Sequence, residues 1–259
     1  MSQPVFCDQM GYSLSFVHPP KRIISLVPSQ TELLAELGLS TEVVGITKFC
    51  IHPRSWFTTK PKIGGTKQFD FNAIKNLNPD LIIGNKEENY KEGIEDLRKN
   101  YSVWMSDIQN LDDATQMIHS LAAIADKSSA GENIISIIQE RFVRIKVRPP
   151  QTVLYLIWRK PWMAAGTGTF INDMLCRLNL RNVISAGRYP ELSDEQISSL
   201  KPDLIFLSSE PYPFKADHKT ELRQISPESN ITLVDGEMFS WYGSRLMHAP
   251  AYFNSLQFT

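Results

Sequence analysis

The chain has 259 residues, 42% hydrophobic and 21% charged, with 27 Lys and Arg against 28 Asp and Glu and a formal net charge of −1. That length buries one large or two ordinary cores without disulfides or a structural metal, and the composition excludes disordered and collagen-like classes. Balanced charge supplies no basic field to gather phosphates, so nucleic acid is not an expected partner. No stretch reaches the roughly 18 apolar residues that span a bilayer, and none reads as a membrane-surface helix.

The first sixteen residues, MSQPVFCDQMGYSLSF, carry no Lys or Arg and no apolar run of signal-peptide length, so no export leader is expected in this chain. Cys7 has no hydrophobic segment before it and is not read as the acylated cysteine of a lipoprotein. With Cys50 and Cys176 it makes three cysteines without C-x-x-C spacing, which argues against a disulfide framework or a thiolate zinc site.

Past the N-terminal segment, 1–20, an apolar strand is expected over Arg22–Val27. Ser29 and Glu32 have the spacing of a capping box, with Ser29 at the N-cap, and Gly38 is the stop of the helix they open. Asn72–Glu87 (NAIKNLNPDLIIGNKE) then recurs as Glu195–Glu210 (EQISSLKPDLIFLSSE). Each copy reads as a short amphipathic helix, a Pro-Asp turn and a buried strand ending near a glutamate. Between the copies, a helix is expected around Asp113–Ala125 and a longer one over Ser129–Val147. The longer helix opens on a capping box, Ser129 to Glu132, and carries Ile134, Ile135, Ile138, Phe142 and Ile145 as one stripe before Pro149-Pro150. The second half repeats the pattern with a strand over Thr152–Trp158, a Gly166–Thr169 turn and a helix over Phe170–Leu178. Strands alternating with helices imply right-handed βαβ units.

The expected fold is therefore α/β: two similar lobes with mainly parallel sheets flanked by helices, bridged by one long α-helix. The boundaries read as 21–111 for the first lobe, 112–148 for the connecting helices including the bridge, and 149–259 for the second lobe. Parallel sheets bind ligands outside the carboxyl ends of their strands, so the loops after Val27, Ile83, Trp158 and Leu207 are the candidate site. They bring Ser29 at a helix N-terminus and, in the second half, Trp158, Arg159, Trp162, Tyr189, Phe239, Trp241, Tyr242 and Arg245. Large rings stack on flat macrocycles, and arginines pair with carboxylates or cover rings. The local alternatives are that Ser29 only caps its helix and that Trp158 closes the core.

The five histidines are dispersed, and only Cys50 and His52 are close enough to share an ion, so no intrinsic metal or cofactor is expected. Gly166–Thr169 lacks the lysine of a phosphate loop and reads as a tight turn. There is no G-x-S-x-G, no H-E-x-x-H and no evident catalytic set, so the chain is not expected to be an enzyme. Asp112-Asp113 sits at a helix start and Glu87-Glu88 on a loop.

RIISLVPSQTELLAELGL (22–39), the two L-x-P-D-L-I segments, the Ser129–Val147 helix and MFSWYGSRLMHAP (238–250) together resemble the substrate-binding proteins of ABC importers for cobalamin, ferric siderophores and haem. The P-S-x-T-E opening and the aromatic loops are most similar to the cobalamin branch. The resemblance implies a monomer that holds a corrinoid or ferric chelate in a cleft between lobes, with any cobalt or iron carried by the ligand. It also implies a cell-envelope or periplasmic protein that docks on a permease through one glutamate per lobe. Glu195 matches in the second lobe; the first-lobe equivalent is Asn72, a departure for which neither Asp70 nor Glu88 aligns as a substitute. Without a leader the expected place is the cytoplasm if this is the full product. The alternative function is a cytoplasmic enzyme, metallocluster-handling protein or ligand sensor on the same scaffold.

Overall fold

In the computed structural model of the chain, which describes residues 4–257, the two copies of the repeat fold alike. A helix over Phe71–Leu77 ends on Asn78 in the left-handed region (φ 43°), and the strand Leu81–Asn85 follows. In the second copy, the helix Asp194–Leu200 ends on Lys201 (φ 42°) and leads to the strand Leu204–Ser208. The next residue in each is the proline that cannot continue a helix. The aspartate after it pins the start of a neighbouring strand. Asp80 accepts the backbone N–H groups of Lys21 (2.7 Å) and Arg22 (2.9 Å). Asp203 accepts the N–H (2.6 Å) and hydroxyl (2.7 Å) of Thr152.

The chain divides into two units: unit 1 holds residues up to 108, 112–139 and 242–245, and unit 2 holds 109–111, 140–241 and 246 onward. In unit 1 the elements run β1 (Val5–Cys7), β2 (Ser13–Ser15), β3 (Ile23–Ser25), α1 (Pro28–Glu36), β4 (Val43–Ile46), α2 (Arg54–Thr59), β5 (Gly64–Gly65), β6 (Gln68–Phe69), α3 (Phe71–Leu77), β7 (Leu81–Asn85), α4 (Lys91–Arg98), β8 (Val103–Ser106) and α5 (Leu111–Ile124). Helix α6 (Ser128–Val143) begins in unit 1 and ends in unit 2. Unit 2 continues with β9 (Gln151–Trp158), β10 (Trp162–Ala164), α7 (Phe170–Arg177), β11 (Leu180–Asn182), β12 (Glu191–Leu192), α8 (Asp194–Leu200), β13 (Leu204–Ser208), α9 (Ala216–Ile225), β14 (Asn230–Val234), α10 (Glu237–Ser240) and α11 (Ala249–Ser255). The chain thus passes from unit 1 to unit 2 inside α6; residues 109–111 group with unit 2, so α5 begins there on Leu111, and 242–245 groups with unit 1 although its neighbours group with unit 2.

Unit 1 is built on a parallel sheet of order β4-β3-β7-β8, and unit 2 on a mixed sheet of order β12-β10-β9-β13-β14 with β11 parallel beside β9. Strands β9, β13 and β14 are parallel; β10 and β12 run antiparallel. The central strands are buried along their length, Leu81–Ile83 in unit 1 and Val153–Leu156 and Leu204–Leu207 in unit 2. This is why they read as continuous apolar runs rather than alternating ones. The fold is α/β with mainly parallel sheets, as expected.

Three local expectations are corrected. Helix α1 starts at Pro28, with Val27 as N-cap and no side-chain cap. Proline suits the first helical position because its missing N–H would have been an orphan and its φ is already helical. Ser29 therefore lies inside the first turn and does not cap. Helix α6 stops at Val143 rather than Val147. There the side chain of Asn254 takes the N–H of Lys146 (2.8 Å) and donates to the carbonyl of Arg144 (3.1 Å), using backbone groups a longer helix would need. Ser129 likewise lies inside α6, and Glu132 takes His119 Nδ1 at 2.6 Å.

Candidate functional site

In unit 1 the carboxyl ends of β3, β7 and β8 meet a buried polar network. Gln30, on the first turn of α1, donates Nε2 to Ser106 Oγ (2.7 Å) and to the carbonyl of Gly84 (3.2 Å). Asn85 closes β7 by donating to Ser106 Oγ (3.0 Å), and its Oδ1 accepts the N–H groups of Glu87 (2.8 Å) and Glu88 (3.2 Å). This Asx-type turn sets the direction of the loop that carries the two glutamates. Glu88 accepts a hydrogen bond from the Tyr242 hydroxyl at 3.0 Å. Lys86, beside them, pairs with Asp107 at 2.5 Å.

Ser29 is 2% exposed, and its Oγ has no hydrogen-bond partner. Glu32, one turn on, is gripped by Arg245 through Nε–Oε2 (3.0 Å) and Nη2–Oε1 (2.6 Å). The backbone of Gly243 lies against Ser29 and Leu33 of α1. A Cβ there would stand 2.6 Å from the Ser29 carbonyl oxygen and 3.4 Å from Leu33 Cβ, so the approach needs glycine. Nearby Cys50 is fully buried, with its sulfur 3.0 Å from Thr31 Oγ1 and 3.1 Å from Thr47 Oγ1. Burial pushes its thiol pKa up, which suits a packing group rather than a nucleophile.

In unit 2 the last residue of β9, Trp158, is 38% exposed. Its ring stands edge-on to Tyr212, centroids 5.5 Å apart. Arg159 lies 4.1 Å above the Trp162 ring and pairs with Glu221, whose hydrogen bond to Arg159 holds its own carboxyl below the usual range. Trp162 stacks on Phe214 (6.1 Å, 10°) and donates Nε1 to Asp194 Oδ1 at 2.7 Å. Phe239 is core, packed at 4.8 Å from Phe253 and 5.2 Å from Tyr155. Trp241 donates to Glu210 Oε1 (2.8 Å), which also accepts from Ser240 Oγ (2.6 Å). Burial pushes the Glu210 carboxyl up, Ser240 and Trp241 pull it back, and Glu237 and Asp235 add to the rise. A cavity of about 520 Å³ beside the end of β14 is lined by Ser209, Phe214, Leu233, Val234, Asp235 and Glu237.

The structure thus gathers the expected residues into different settings. Trp158, Arg159 and Trp162 share one corner of unit 2 with Tyr212, Phe214 and Glu221, none of which the sequence singled out as site residues. All five tryptophans are described, and Trp158 is the exposed one; Trp162 (2%) and Trp241 (6%) are covered. Tyr242 is also covered and groups with Arg245 on unit 1. Tyr189 is half-buried in the loop before β12. Glu195 and Asn72 occupy the same second position of helices capped by Ser193 and Asp70, and both are exposed. Hydrogen bonds from Ser193 and its own N–H lower the Glu195 carboxyl. Gly166–Thr169 is a turn in which Thr169 caps α7 through the Asn172 N–H at 3.2 Å. Among the described residues no group of three or more His, Cys, Asp or Glu could hold a metal, and no helix is long and apolar enough to cross a membrane.

A family model described as periplasmic binding protein matches residues 23–227. A vitamin B12-binding protein of Vibrio parahaemolyticus is 23% identical over 197 residues, covering 73% of this chain and 71% of that protein. An uncharacterized ABC transporter substrate-binding lipoprotein of Bacillus subtilis is 24% identical over 212 residues, covering 76% of this chain and 67% of that protein. Among solved structures, a periplasmic haem-binding protein from Roseiflexus in apo form superposes with a TM-score of 0.78 at 21% identity, covering 90% of this chain and 98% of that one.

Proposed function

The chain belongs to the periplasmic binding protein family, and from that premise we propose that it captures a corrinoid, haem or ferric chelate and delivers it to the permease of an ABC importer. The observation that carries this reading is the aromatic corner at the carboxyl end of β9. There Trp158 keeps a large exposed face while Tyr212, Arg159 and Trp162 fix its surroundings. A rigid, half-exposed indole is suited to stacking on a flat conjugated ligand. Cobalt or iron enters with the ligand, and the chain's own residues bind and orient without catalysing a reaction. Relatives named for vitamin B12, for haem and as a transporter lipoprotein support the ligand class and a cell-envelope location. Glu195, exposed at the start of α8, is the docking contact offered to the permease.

The test is a titration of purified protein with cyanocobalamin, cobinamide, haem and a ferric tris-catecholate, following ligand absorbance and tryptophan fluorescence. Binding at micromolar concentration or tighter, about −8 kcal/mol or better, with quenching lost in Trp158→Ala, is the expected result. No binding of any probe below about 100 μM, which is only about −5.5 kcal/mol, overturns the reading in favour of the enzyme or sensor alternative.

A further inference from the structure

The segment Ser240–Arg245 (SWYGSR) is held at each end and in its middle by a glutamate. In unit 2, Ser240 and Trp241 both donate to Glu210 Oε1, at 2.6 and 2.8 Å. In unit 1, Tyr242 donates to Glu88 Oε1 at 3.0 Å, and Arg245 forks onto Glu32. Gly243 lies against the α1 backbone so closely that no side chain fits. The three glutamates have one topological feature in common. Glu210 follows β13 by two residues, Glu88 follows β7 by three, and Glu32 sits on the helix that follows β3. All three therefore belong to connections at the carboxyl ends of parallel strands, where sheets of this kind receive ligands.

Trp241 and Tyr242 are each only 6% exposed, so the segment offers no broad stacking face. Each contact joins a carboxylate to a serine hydroxyl, a ring N–H, a phenol or a guanidinium, and such charge-assisted bonds are roughly twice as strong as neutral ones. No regular strand or long helix runs through residues 241–243; one backbone bond, from the Trp241 N–H to the Glu237 carbonyl (3.1 Å), and the side-chain contacts hold them.

We propose that Glu32, Glu88 and Glu210 are positioning residues: carboxylate pins that hold residues 242–245 on unit 1 and Ser240–Trp241 on unit 2, each in the geometry that lets the strand-end loops of its own unit receive ligand. The proposal rests on the ligand-capture reading, and it assigns to these acids a role in affinity that none of them has by touching the ligand. Loss of a pin loosens the residues it holds first and weakens capture as a consequence.

The experiment compares Glu88→Ala and Glu210→Ala with Glu88→Gln and Glu210→Gln, since the carboxamide retains an acceptor oxygen where Tyr242, Ser240 and Trp241 donate. Glu32→Gln joins the set as the variant that keeps shape and loses the Arg245 ion pair. Amide hydrogen exchange over residues 240–245 and affinity for cyanocobalamin, haem and the ferric tris-catecholate are measured on each full-length variant. Tyr242→Phe reads the Glu88 pin from the other side if an acidic-site variant does not fold. The expected result is exchange faster by about tenfold or more in both alanine variants and in Glu32→Gln. Affinity for the probe the wild type binds falls by about tenfold, the equivalent of 1.4 kcal/mol, and both properties are restored in the Gln variants of Glu88 and Glu210. Unchanged exchange, or faster exchange with unchanged affinity, overturns the pin assignment and leaves the capture reading standing. A wild type that binds none of the probes overturns the capture reading and the proposal with it.

Discussion

Arg245 and Glu32, 213 positions apart in sequence, close a two-bond fork with side chains only 13% and 23% exposed. The pair fastens the 242–245 segment to the first helix of unit 1. A fork this well covered is stronger than a surface ion pair, because solvent screens it less and both carboxylate oxygens are used. Arg245→Ala is expected to destabilise the protein by about 1–3 kcal/mol, lowering the thermal midpoint by roughly 2–4 °C per kcal/mol for a chain of this size. A double-mutant cycle with Glu32→Ala checks it: additive losses would mean the two side chains do not interact.

Gly243→Ala places a methyl group 2.6 Å from the Ser29 carbonyl oxygen, a backbone atom that cannot swing aside. Overpacking of this kind is expected to lower stability by about 1–3 kcal/mol. Denaturant unfolding measures it, and an unchanged midpoint would show that the segment shifts freely off α1.

Much of the fold is written in local pattern. Gly38 (φ 78°) ends α1 as expected, with its N–H on Ala35 and that of Leu39 on Leu34, both at 3.0 Å, the paired bonds of a Schellman motif. The two Pro-Asp turns announce the parallel core of both sheets, because each aspartate does the same job at the start of a strand. The site was less legible. Trp162 and Phe239 sit in segments that read as loops, yet Asp194 takes the indole N–H of one and Tyr155 and Phe253 enclose the other. Partners such as Glu32 for Arg245 and Glu88 for Tyr242 lie more than 150 positions apart and leave no periodic trace. Asn254, whose side chain takes backbone groups just past the end of α6, is 108 positions from Lys146.

Glu210 makes stability depend on pH with a definite sign. Burial raises its folded-state pKa above that of the unfolded chain, so the folded state binds the proton more tightly. Stability from this group is full below the ordinary carboxylate range and falls as pH rises through the interval up to the raised value. Glu210→Gln keeps an acceptor for Ser240 and Trp241 and removes the titration. Its unfolding free energy is expected to be flatter than wild type across that interval. A variant that parallels wild type at every pH would contradict the assignment.

Asp203 carries the opposite sign. The hydroxyl and N–H of Thr152 hold its carboxyl below the usual range, so its contribution is present above that range and lost as pH falls through the depressed value. Asp203→Asn is expected to shrink the loss of stability on acidification. Urea midpoints taken every half unit of pH, on an order of steps set by the titration itself, separate this variant from Glu210→Gln.

At the first turn of α3, Asn72 stands where Glu195 stands on α8. Asn72→Glu gains the favourable interaction of a carboxylate with a helix N-terminus, about 0.3–1 kcal/mol. If docking uses one carboxylate per unit, the same change strengthens association with the permease in detergent or nanodiscs, and Glu195→Ala weakens it. Equal association of all three proteins would remove both positions from the docking surface.

The most direct measurement is an amide hydrogen-exchange footprint of the protein saturated with whichever chelate it binds. Capture at the strand ends predicts slowed exchange in the loops after β9 and β13 and in those after β3 and β7, centred in unit 2 on Trp158 and Tyr212. Protection confined to the β1–β2 hairpin or to α5 and the start of α6, with those loops unchanged, would contradict it.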